Sequence, residues 1–283
     1  MKKILIQIIL WDILFLLLGD CFYAQNLSDS LFKKTVIFKR QAYGNIVDST
    51  MNEYFNELGY PQATGFFIKP DSAGQLYIAT ARHVIMRSNK VKGISLYFKP
   101  YTDQEELLTI LKFDDLRNVG LYANDSLVDL VLVNNCHRPE VEEHLPKISA
   151  FRPNEIMSKE EFLSVEPSQE LFYIGMFPDS VESEDNIYWF PTGYLINIPK
   201  TSQVVIDTSK HLKFSYDFVM RIDGKPGVSG SPVFVKVDNS YKIFGIVNGF
   251  INDSLQLNQT KNFIGTAGFR ILEILKAHSL LRQ

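Results

Sequence analysis

Three short patterns in the sequence carry residue types that could together perform acyl transfer. His83 ends a strand-like run, Asp129 leads an apolar run, and Ser229 lies between glycines in a tight loop. A serine hydroxyl needs a base before it can attack, and a histidine can accept and return a proton near neutral pH. Taken alone, the histidine could be a packed side chain and the aspartate a solvated turn acid. The glycine-flanked serine is more specific, because only small residues let backbone amides close around a reacting carbonyl.

The residues around these positions resemble the motifs of the trypsin-like (chymotrypsin-fold) serine peptidases, particularly the bacterial glutamyl-endopeptidase and HtrA-like branches. Gly65 to Phe67 and Thr80 to His83 match that family's Gly-Phe strand and Thr-Ala-x-His motif. Asp129 and Leu130 match its Asp-hydrophobic strand, and Gly227 to Pro232 match its nucleophile loop. The order His, Asp, Ser also differs from that of subtilisins and α/β-hydrolases. The match extends over roughly residues 64 to 270.

This resemblance implies a role for each of the three residues. Ser229 would be the nucleophile, His83 the general base that then protonates the leaving amine, and Asp129 the carboxylate that orients the imidazole. Asp125, on the same loop, is the next candidate if Asp129 lies away from His83. The backbone amides of Gly227 and Ser229 would form the oxyanion hole. We expect the nucleophile and the base within hydrogen-bond reach, roughly 2.6 to 3.2 Å or somewhat looser without a ligand.

The resemblance also suggests where substrate specificity is set. The strand from Gly245 to Phe250 resembles the one that lines the primary pocket, so Asn248, Gly249 and Phe250 are candidate substrate-binding residues. Asp223 matches by spacing the acid that selects basic side chains in trypsin. The alternative is that Asp223 is only a loop-start acid, which we favour because loop lengths vary here between branches.

The first 24 residues have the pattern of a secretory signal peptide. Lys2 and Lys3 precede an apolar run, and cleavage is expected after Ala24. One alternative is a retained membrane anchor, although the run is short for a span and Asp12 interrupts it. Another is lipid attachment at Cys21. We expect an exported protein, periplasmic or extracellular, with no membrane contact after cleavage.

Composition and cysteine content exclude several classes of protein. A chain of 283 residues with net charge -3, 46% hydrophobic and 22% charged content, fits a globular protein and gives no electrostatic reason to expect nucleic acid. Cleavage would leave Cys136 alone, so no intramolecular disulfide is possible. Beside His137 it is interpreted as a free thiol at a strand end, with a nucleophile or metal ligand as the alternative. We expect no metal, no cofactor, a polypeptide substrate and a monomer.

The elements that must position these residues are predicted to be mostly strands. Two groups of about six short strands, without a βαβ pattern, predict an all-β protein with two six-stranded antiparallel β-barrels, the active site between them and a C-terminal α-helix. The predicted boundaries are a lead-in over 25–60, an N-terminal barrel over 61–138, a linker over 139–168, a C-terminal barrel over 169–268 and a helix over 269–283.

Three local predictions accompany this scheme. The lead-in contains a strand near Thr35 to Phe38 and then a helix that carries Met51 to Leu58 on one face. Ser158 and Glu161 have the spacing of a helix capping box. A single strand is predicted from His211 to Arg221.

The function predicted from these motifs is a secreted serine endopeptidase that cuts peptide bonds through an acyl-enzyme intermediate. The alternative is a catalytically inactive trypsin-like barrel that serves as a binding or adhesion module. A missing triad residue would favour the module, and none is missing.

Overall fold

A computed structural model of the protein describes most of the chain. The described residues are 30–42, 63–70, 75–85, 91–98, 106–112, 120–134, 148–178, 186–189, 191–207, 212–222, 227–238, 240–251 and 262–281. The signal segment with Cys21, the helix predicted over 51–58, Cys136 with His137, and Asp223 lie outside these residues and stay predictions. Within the described ranges, no helix is both long enough and apolar enough to cross a membrane.

The strands fall into an N-terminal and a C-terminal group. The first group is β1 (Thr35–Ala42), β2 (Ala63–Ile68), β3 (Tyr77–Thr80), β4 (Val91–Phe98), β5 (Glu106–Lys112), β6 (Gly120–Tyr122) and β7 (Val131–Asn134). The second is β8 (Glu170–Tyr173), β9 (Gly175–Pro178), β10 (Asn186–Trp189), β11 (Thr192–Asn197), β12 (Gln203–Asp207), β13 (Leu212–Tyr216), β14 (Phe218–Ile222), β15 (Pro232–Val237), β16 (Ser240–Ile251) and β17 (Asn262–Ala267). Helical elements in the described residues include α1 (Lys159–Leu163), α2 (Phe269–Ala277) and the short 3-10 helices Arg82–Ile85 and Pro153–Glu155.

The N-terminal group forms one antiparallel sheet in the order β5-β4-β1-β2-β3-β7-β6. Its seven strands differ from the six predicted, because β6 is only three residues long and has no apolar run to predict it from. The two edge strands, β5 and β6, are consecutive along the chain. Strand β1 comes from the segment predicted as a lead-in, and it pairs with both β2 and β4 in the middle of this sheet.

The C-terminal group contains a closed six-stranded barrel in the order β11-β14-β17-β16-β15-β8, as predicted. Aromatic rings fill its interior, with Phe244 lying 4.6 Å from Phe162 and 4.9 Å from Phe218 between ring centroids. Gly265 is needed for this packing, because a Cβ at that position would lie 2.2 Å from the ring of Phe218. With the open N-terminal sheet and helix α2, this barrel makes the all-β, two-barrel fold class that the strand pattern predicted.

Strands β12 and β13 form a separate two-stranded hairpin between β11 and β14. The prediction of one strand from His211 to Arg221 is therefore wrong, since the chain breaks into β13 and β14 at Asp217. The buried Asp217 donates its backbone N–H to Gly265, and its carboxylate accepts from the N–H of Ala267. These bonds to β17 bend a run whose sequence contains no glycine or proline.

The described part of the segment between the two groups, residues 148–169, packs against the apolar clusters of the protein. Helix α1 begins with the predicted capping box, in which Ser158 Oγ accepts from the N–H of Glu161 and Glu161 Oε2 accepts from the N–H of Ser158. Helix α2 buries Ile271, Ile274 and Leu275 in the same apolar cluster as the N-terminal strands. The C-terminal helix thus stabilises the two halves against each other.

Candidate active site

His83 and Asp129 are brought together by the pairing of β3 with β7. Thr80 at the end of β3 lies opposite Val131 at the start of β7, so the residues just outside these strands are neighbours. Nδ1 of His83 lies 2.7 Å from Oδ2 of Asp129, and the backbone N–H of His83 donates to Oδ1 at 2.9 Å. The carboxylate therefore holds both the ring and the backbone of the histidine.

Asp125, the alternative candidate, forms a hydrogen bond within its own loop. Its Oδ1 accepts from the backbone N–H of Leu127 at 2.9 Å. The next residue, Ser126, accepts a bond from Arg82 Nη1 at 2.8 Å, which ties the loop to the residue beside His83. These contacts position Asp129, and we assign no direct role to Asp125.

Asp129 is a buried carboxylate with a full set of donors, and its side chain is 3% exposed. Burial alone would raise the pKa of Asp129, but the charge of His83 and hydrogen bonds from His83 and Asn248 outweigh it and hold the pKa below its ordinary value. Because the ionised form is the one that orients an imidazole, this environment keeps Asp129 in the state that the chemistry requires.

Asn248 has a different position from the predicted one. It was expected to bind substrate, yet it is only 2% exposed, and its Nδ2 donates to both the backbone oxygen and Oδ2 of Asp129 at 2.8 Å. The reason is a bulge in β16, where the register shifts between Val247 and Gly249, so that the consecutive side chains of Val247 and Asn248 are both buried. The contact of Asn248 with Asp129 was not predicted, although an amide among apolar strand residues is a signal of a buried polar bond.

The other two predicted substrate-binding residues of β16 are more accessible. Phe250 is 46% exposed, with its ring 6.2 Å from that of Phe263. Gly249 is half-buried, and a Cβ there would meet no atom of the described residues within 4 Å. None of those residues fills the space beside Gly249, where the sequence predicted a substrate.

The loop that carries Ser229 docks directly onto the N-terminal sheet. The N–H of Thr64 donates to the carbonyl of Ser229 at 2.9 Å, and the N–H of Gly230 donates to Val247 on β16 at 2.7 Å. Gly230 has φ +83°, and a Cβ on it would lie 2.1 Å from the Thr64 oxygen and 2.2 Å from Thr80 Oγ1. The loop with Ser229 therefore lies between β16 and the ends of β2 and β3. Strand β3 is the one that leads to His83.

The Ser229 hydroxyl is not bonded to His83 in this structure. Its Oγ lies 3.4 Å from the carbonyl oxygen of Asn248, and within the described part of the chain it has no hydrogen bond to the imidazole. The expected nucleophile-to-base hydrogen bond is therefore absent here. Such bonds are often long or poorly aligned in unliganded enzymes and tighten only in the complex with substrate.

The predicted oxyanion-hole residues lie in the same loop. Gly227 has φ +99°, a left-handed conformation that favours glycine, and the loop closes with a bond from the N–H of Ser231 to Val228. Among the residues that the structure describes, no acceptor takes the N–H of Gly227 or of Ser229. Asp223, the candidate pocket acid, lies outside these residues.

Comparison with solved structures identifies the fold. No protein-family model matches the chain. No curated protein sequence matches it. The active form of the Rv3671c protease from M. tuberculosis has a TM-score of 0.50 and 16% sequence identity, over 90% of this chain and 85% of that chain. The inactive form of the Rv3671c protease has a TM-score of 0.48 and 16% identity, over 88% and 90%. At such identity the likeness shows a chymotrypsin-like fold alone.

Proposed function

We propose that the protein is a serine endopeptidase that hydrolyses peptide bonds through His83, Asp129 and Ser229. The observation that carries the proposal is the two-point hydrogen bonding of Asp129 to His83, at 2.7 and 2.9 Å, beside a serine loop docked on the same strand ends. A buried carboxylate that holds a partly exposed histidine is the arrangement that general-base catalysis needs. The protease activity named for the active form of Rv3671c, which has this fold, supports the same class.

The reaction proceeds by two acyl transfers. His83 takes the proton of Ser229 Oγ as that oxygen attacks the substrate carbonyl, and the resulting imidazolium is stabilised by Asp129. His83 then gives the proton to the leaving amine as the C–N bond breaks, which leaves an acyl group on Ser229. A water molecule, deprotonated by His83, attacks this ester, and the acid product leaves as Ser229 regains its proton.

The N–H groups of Gly227 and Ser229 would bind the oxyanion that forms in both steps. The left-handed conformations of Gly227 and Gly230 in this loop would help to orient these groups before reaction. Removal of one such donor lowers kcat by ~10²–10³ in comparable enzymes. We therefore expect the amides of this loop to account for a large part of the rate enhancement.

An extended polypeptide would fit the edge of β16 beyond Val247. Strand β15 pairs with β16 only as far as Ile246, opposite Pro232, and the next residue, Val247, is bonded to Gly230 and Ser231 of the serine loop. A substrate strand added to this edge would lie beside Gly249 and Phe250. We infer that Asp223 is a loop-start acid, so that the P1 preference follows the lining around Asn248 and Phe250 rather than selecting a basic side chain.

The finer assignments rest on the sequence motifs. We infer membership of the bacterial glutamyl-endopeptidase or HtrA-like branches from the Thr80 to His83 and Gly227 to Pro232 motifs. We infer export from the signal-like segment 1–24, and we expect the exported protein to act as a monomer without cofactor.

A second candidate function is a catalytically inactive barrel that binds partners. The observation in its favour is the contact of Ser229 Oγ with Asn248 rather than with His83. In that case Ser229 would not be activated, and the cleft would serve only to bind a polypeptide.

Labelling with a fluorophosphonate separates the two functions, since this reagent reacts with activated serines. We expect stoichiometric labelling of the purified protein at Ser229, no labelling of Ser229→Ala, and hydrolysis of members of a peptide library. A folded wild-type protein that takes no label and cuts no peptide would overturn the peptidase and support the binding module.

A further inference from the structure

The hairpin of β12 and β13 extends from the C-terminal half onto His83. Phe214, on β13, lies with its ring centroid 6.3 Å from that of the His83 imidazole, and the ring planes meet at 22°. This is an offset, nearly parallel stack. Because His83 belongs to the N-terminal sheet, the contact crosses between the two halves that carry the base and the nucleophile.

The next residue of the same strand holds the segment that carries Asp129. The N–H of Ser215 donates to the carbonyl of Leu127 at 2.7 Å, and Ser215 forms a parallel bridge with Val128. Phe214 therefore contacts His83, and the next residue, Ser215, contacts the chain segment that leads to Asp129.

The base of the hairpin is anchored by a buried carboxylate. Asp217 follows β13 and accepts from Ser202 Oγ at 2.6 Å, just before β12 begins, so it ties the two ends of the hairpin together. It also accepts from the N–H of Ala267 at 3.0 Å and from the Arg270 guanidinium at 3.2 and 3.3 Å. The strand that carries Phe214 is thus fixed to the barrel that carries Ser229.

We propose that Phe214 is a positioning residue that fixes the His83 ring relative to Ser229, an inference that rests on the proposed peptidase function. Asp129 contacts only the Nδ1 edge of the imidazole and the backbone of His83. The tilt of the ring therefore depends on the side chains that pack against its two faces. Phe214 covers one face from the half of the molecule that also carries the nucleophile.

The test compares Phe214→Leu, which removes the ring and keeps its bulk, with Phe214→Tyr, which keeps the stack. For Phe214→Leu we expect kcat per labelled active site to fall roughly 2- to 13-fold with KM unchanged, the equivalent of ~0.5–1.5 kcal/mol for an aromatic pair. Phe214→Tyr should keep the wild-type kcat. Val204→Ala on β12 is the matched control, since Val204 is 45% exposed on the same hairpin, and it should leave both constants unchanged.

Normalising to fluorophosphonate-labelled sites removes any effect of a smaller folded fraction. A rise in KM with unchanged kcat would overturn the proposal, because Phe214 would then contact substrate and not position the base. Unchanged constants in Phe214→Leu would overturn it as well, as would an equal loss in Phe214→Tyr.

A spectroscopic measurement distinguishes failure of this inference from failure of the peptidase function. Stacking shifts the ring-proton resonances of His83, which can be assigned by their absence in His83→Gln. We expect this shift to be lost in Phe214→Leu and kept in Phe214→Tyr. If the shift is present but the wild-type protein neither takes label nor cuts peptides, the peptidase function fails and the positioning role fails with it. An active wild-type enzyme whose His83 resonances are the same in Phe214→Leu would overturn the stack alone.

Discussion

Asn248 donates a hydrogen bond to the same carboxylate oxygen of Asp129 that faces Nδ1 of His83. Both distances to this Oδ2 atom are short, 2.8 Å from Asn248 and 2.7 Å from His83. Because Asn248 lies on β16 and Asp129 precedes β7, the amide also links the C-terminal barrel to the N-terminal sheet at the candidate site. The orientation of the histidine thus depends on a residue from each half.

Asn248→Ala should therefore lower kcat more than it alters KM. A hydrogen bond to a charged group contributes ~1.5–3 kcal/mol, so we expect a loss of roughly 13- to 160-fold in kcat per labelled site. The measurement is steady-state kinetics on a peptide substrate, with circular dichroism to verify the fold. A variant with normal kcat and a raised KM would instead support the substrate-binding role that the sequence predicted for Asn248.

Ser229 and His83 should behave as one catalytic unit. We expect Ser229→Ala and His83→Ala each to abolish turnover with little loss of stability, and the double variant to be scarcely slower than either, because both remove the same proton-transfer step. The rates of the two single variants and the double variant on one peptide substrate measure the coupling between Ser229 and His83. Substantial activity of Ser229→Ala on a peptide ester would mean that a different residue is the nucleophile.

Parts of this site could be predicted from the sequence because they depend on local patterns. Strand β15 is found over Pro232–Val237, as its bounded apolar run predicted. The proximity of His83 to Asp129 follows from the pairing of β3 with β7, two strands that were both predicted. In each case the apolar residues that define a strand lie close in sequence to the polar residue of the site: Ser229, His83 or Asp129.

The hairpin β12–β13 could not be predicted in the same way. No glycine or proline marks the break between β13 and β14, since Asp217 ends the strand through bonds to Gly265 and Ala267 in β17. The direction of the Asn248 side chain has a similar origin, because it depends on where Asp129 lies in the other half. Such contacts join residues far apart in the chain, and periodicity carries no information about them.

Gly230→Ala should disrupt the docking of the serine loop. A Cβ would overlap the backbone oxygen of Thr64 at 2.1 Å, and φ +83° is strained for alanine, so we expect a loss of at least ~2 kcal/mol in the free energy of unfolding. Thermal and urea unfolding measure this loss. Gly249→Ala is the matched control for stability, because a Cβ there has open space and no left-handed φ, and it should keep the wild-type Tm. Equal Tm values for the two variants would contradict the close contact at Gly230.

Because the pKa of Asp129 is lowered in the folded protein, part of the free energy of unfolding depends on pH. A carboxyl whose pKa is lower in the folded than in the unfolded chain stabilises the fold above the unfolded value, ~3.9, and loses this contribution as pH falls through the folded pKa. We expect the stability difference between wild type and Asp129→Asn to be largest near pH 7 and to shrink below about pH 4. Urea unfolding at both pH values measures it. A difference that stays constant with pH would show that Asp129 titrates alike in the folded and unfolded chains.

The ion pair between Arg270 and Asp217 should contribute to stability through its burial, whereas the second partner of Arg270 should not. Arg270 Nη2 lies 3.2 Å from Asp217, whose side chain is 10% exposed, while Nη1 lies 3.0 Å from Glu273, whose side chain is 50% exposed. Burial by itself would lower the pKa of Arg270, but its bonds to Asp217 outweigh this and raise it, so the guanidinium stays charged.

Arg270→Met leaves the buried carboxylate of Asp217 without its cation, and we expect it to lower the free energy of unfolding by ~1–3 kcal/mol. Glu273→Gln, the matched control on the exposed side, should change it by less than ~0.5 kcal/mol, since solvent screens surface pairs. Urea unfolding of both variants at pH 7 gives the comparison, and a loss in Glu273→Gln as large as that in Arg270→Met would contradict the importance of burial.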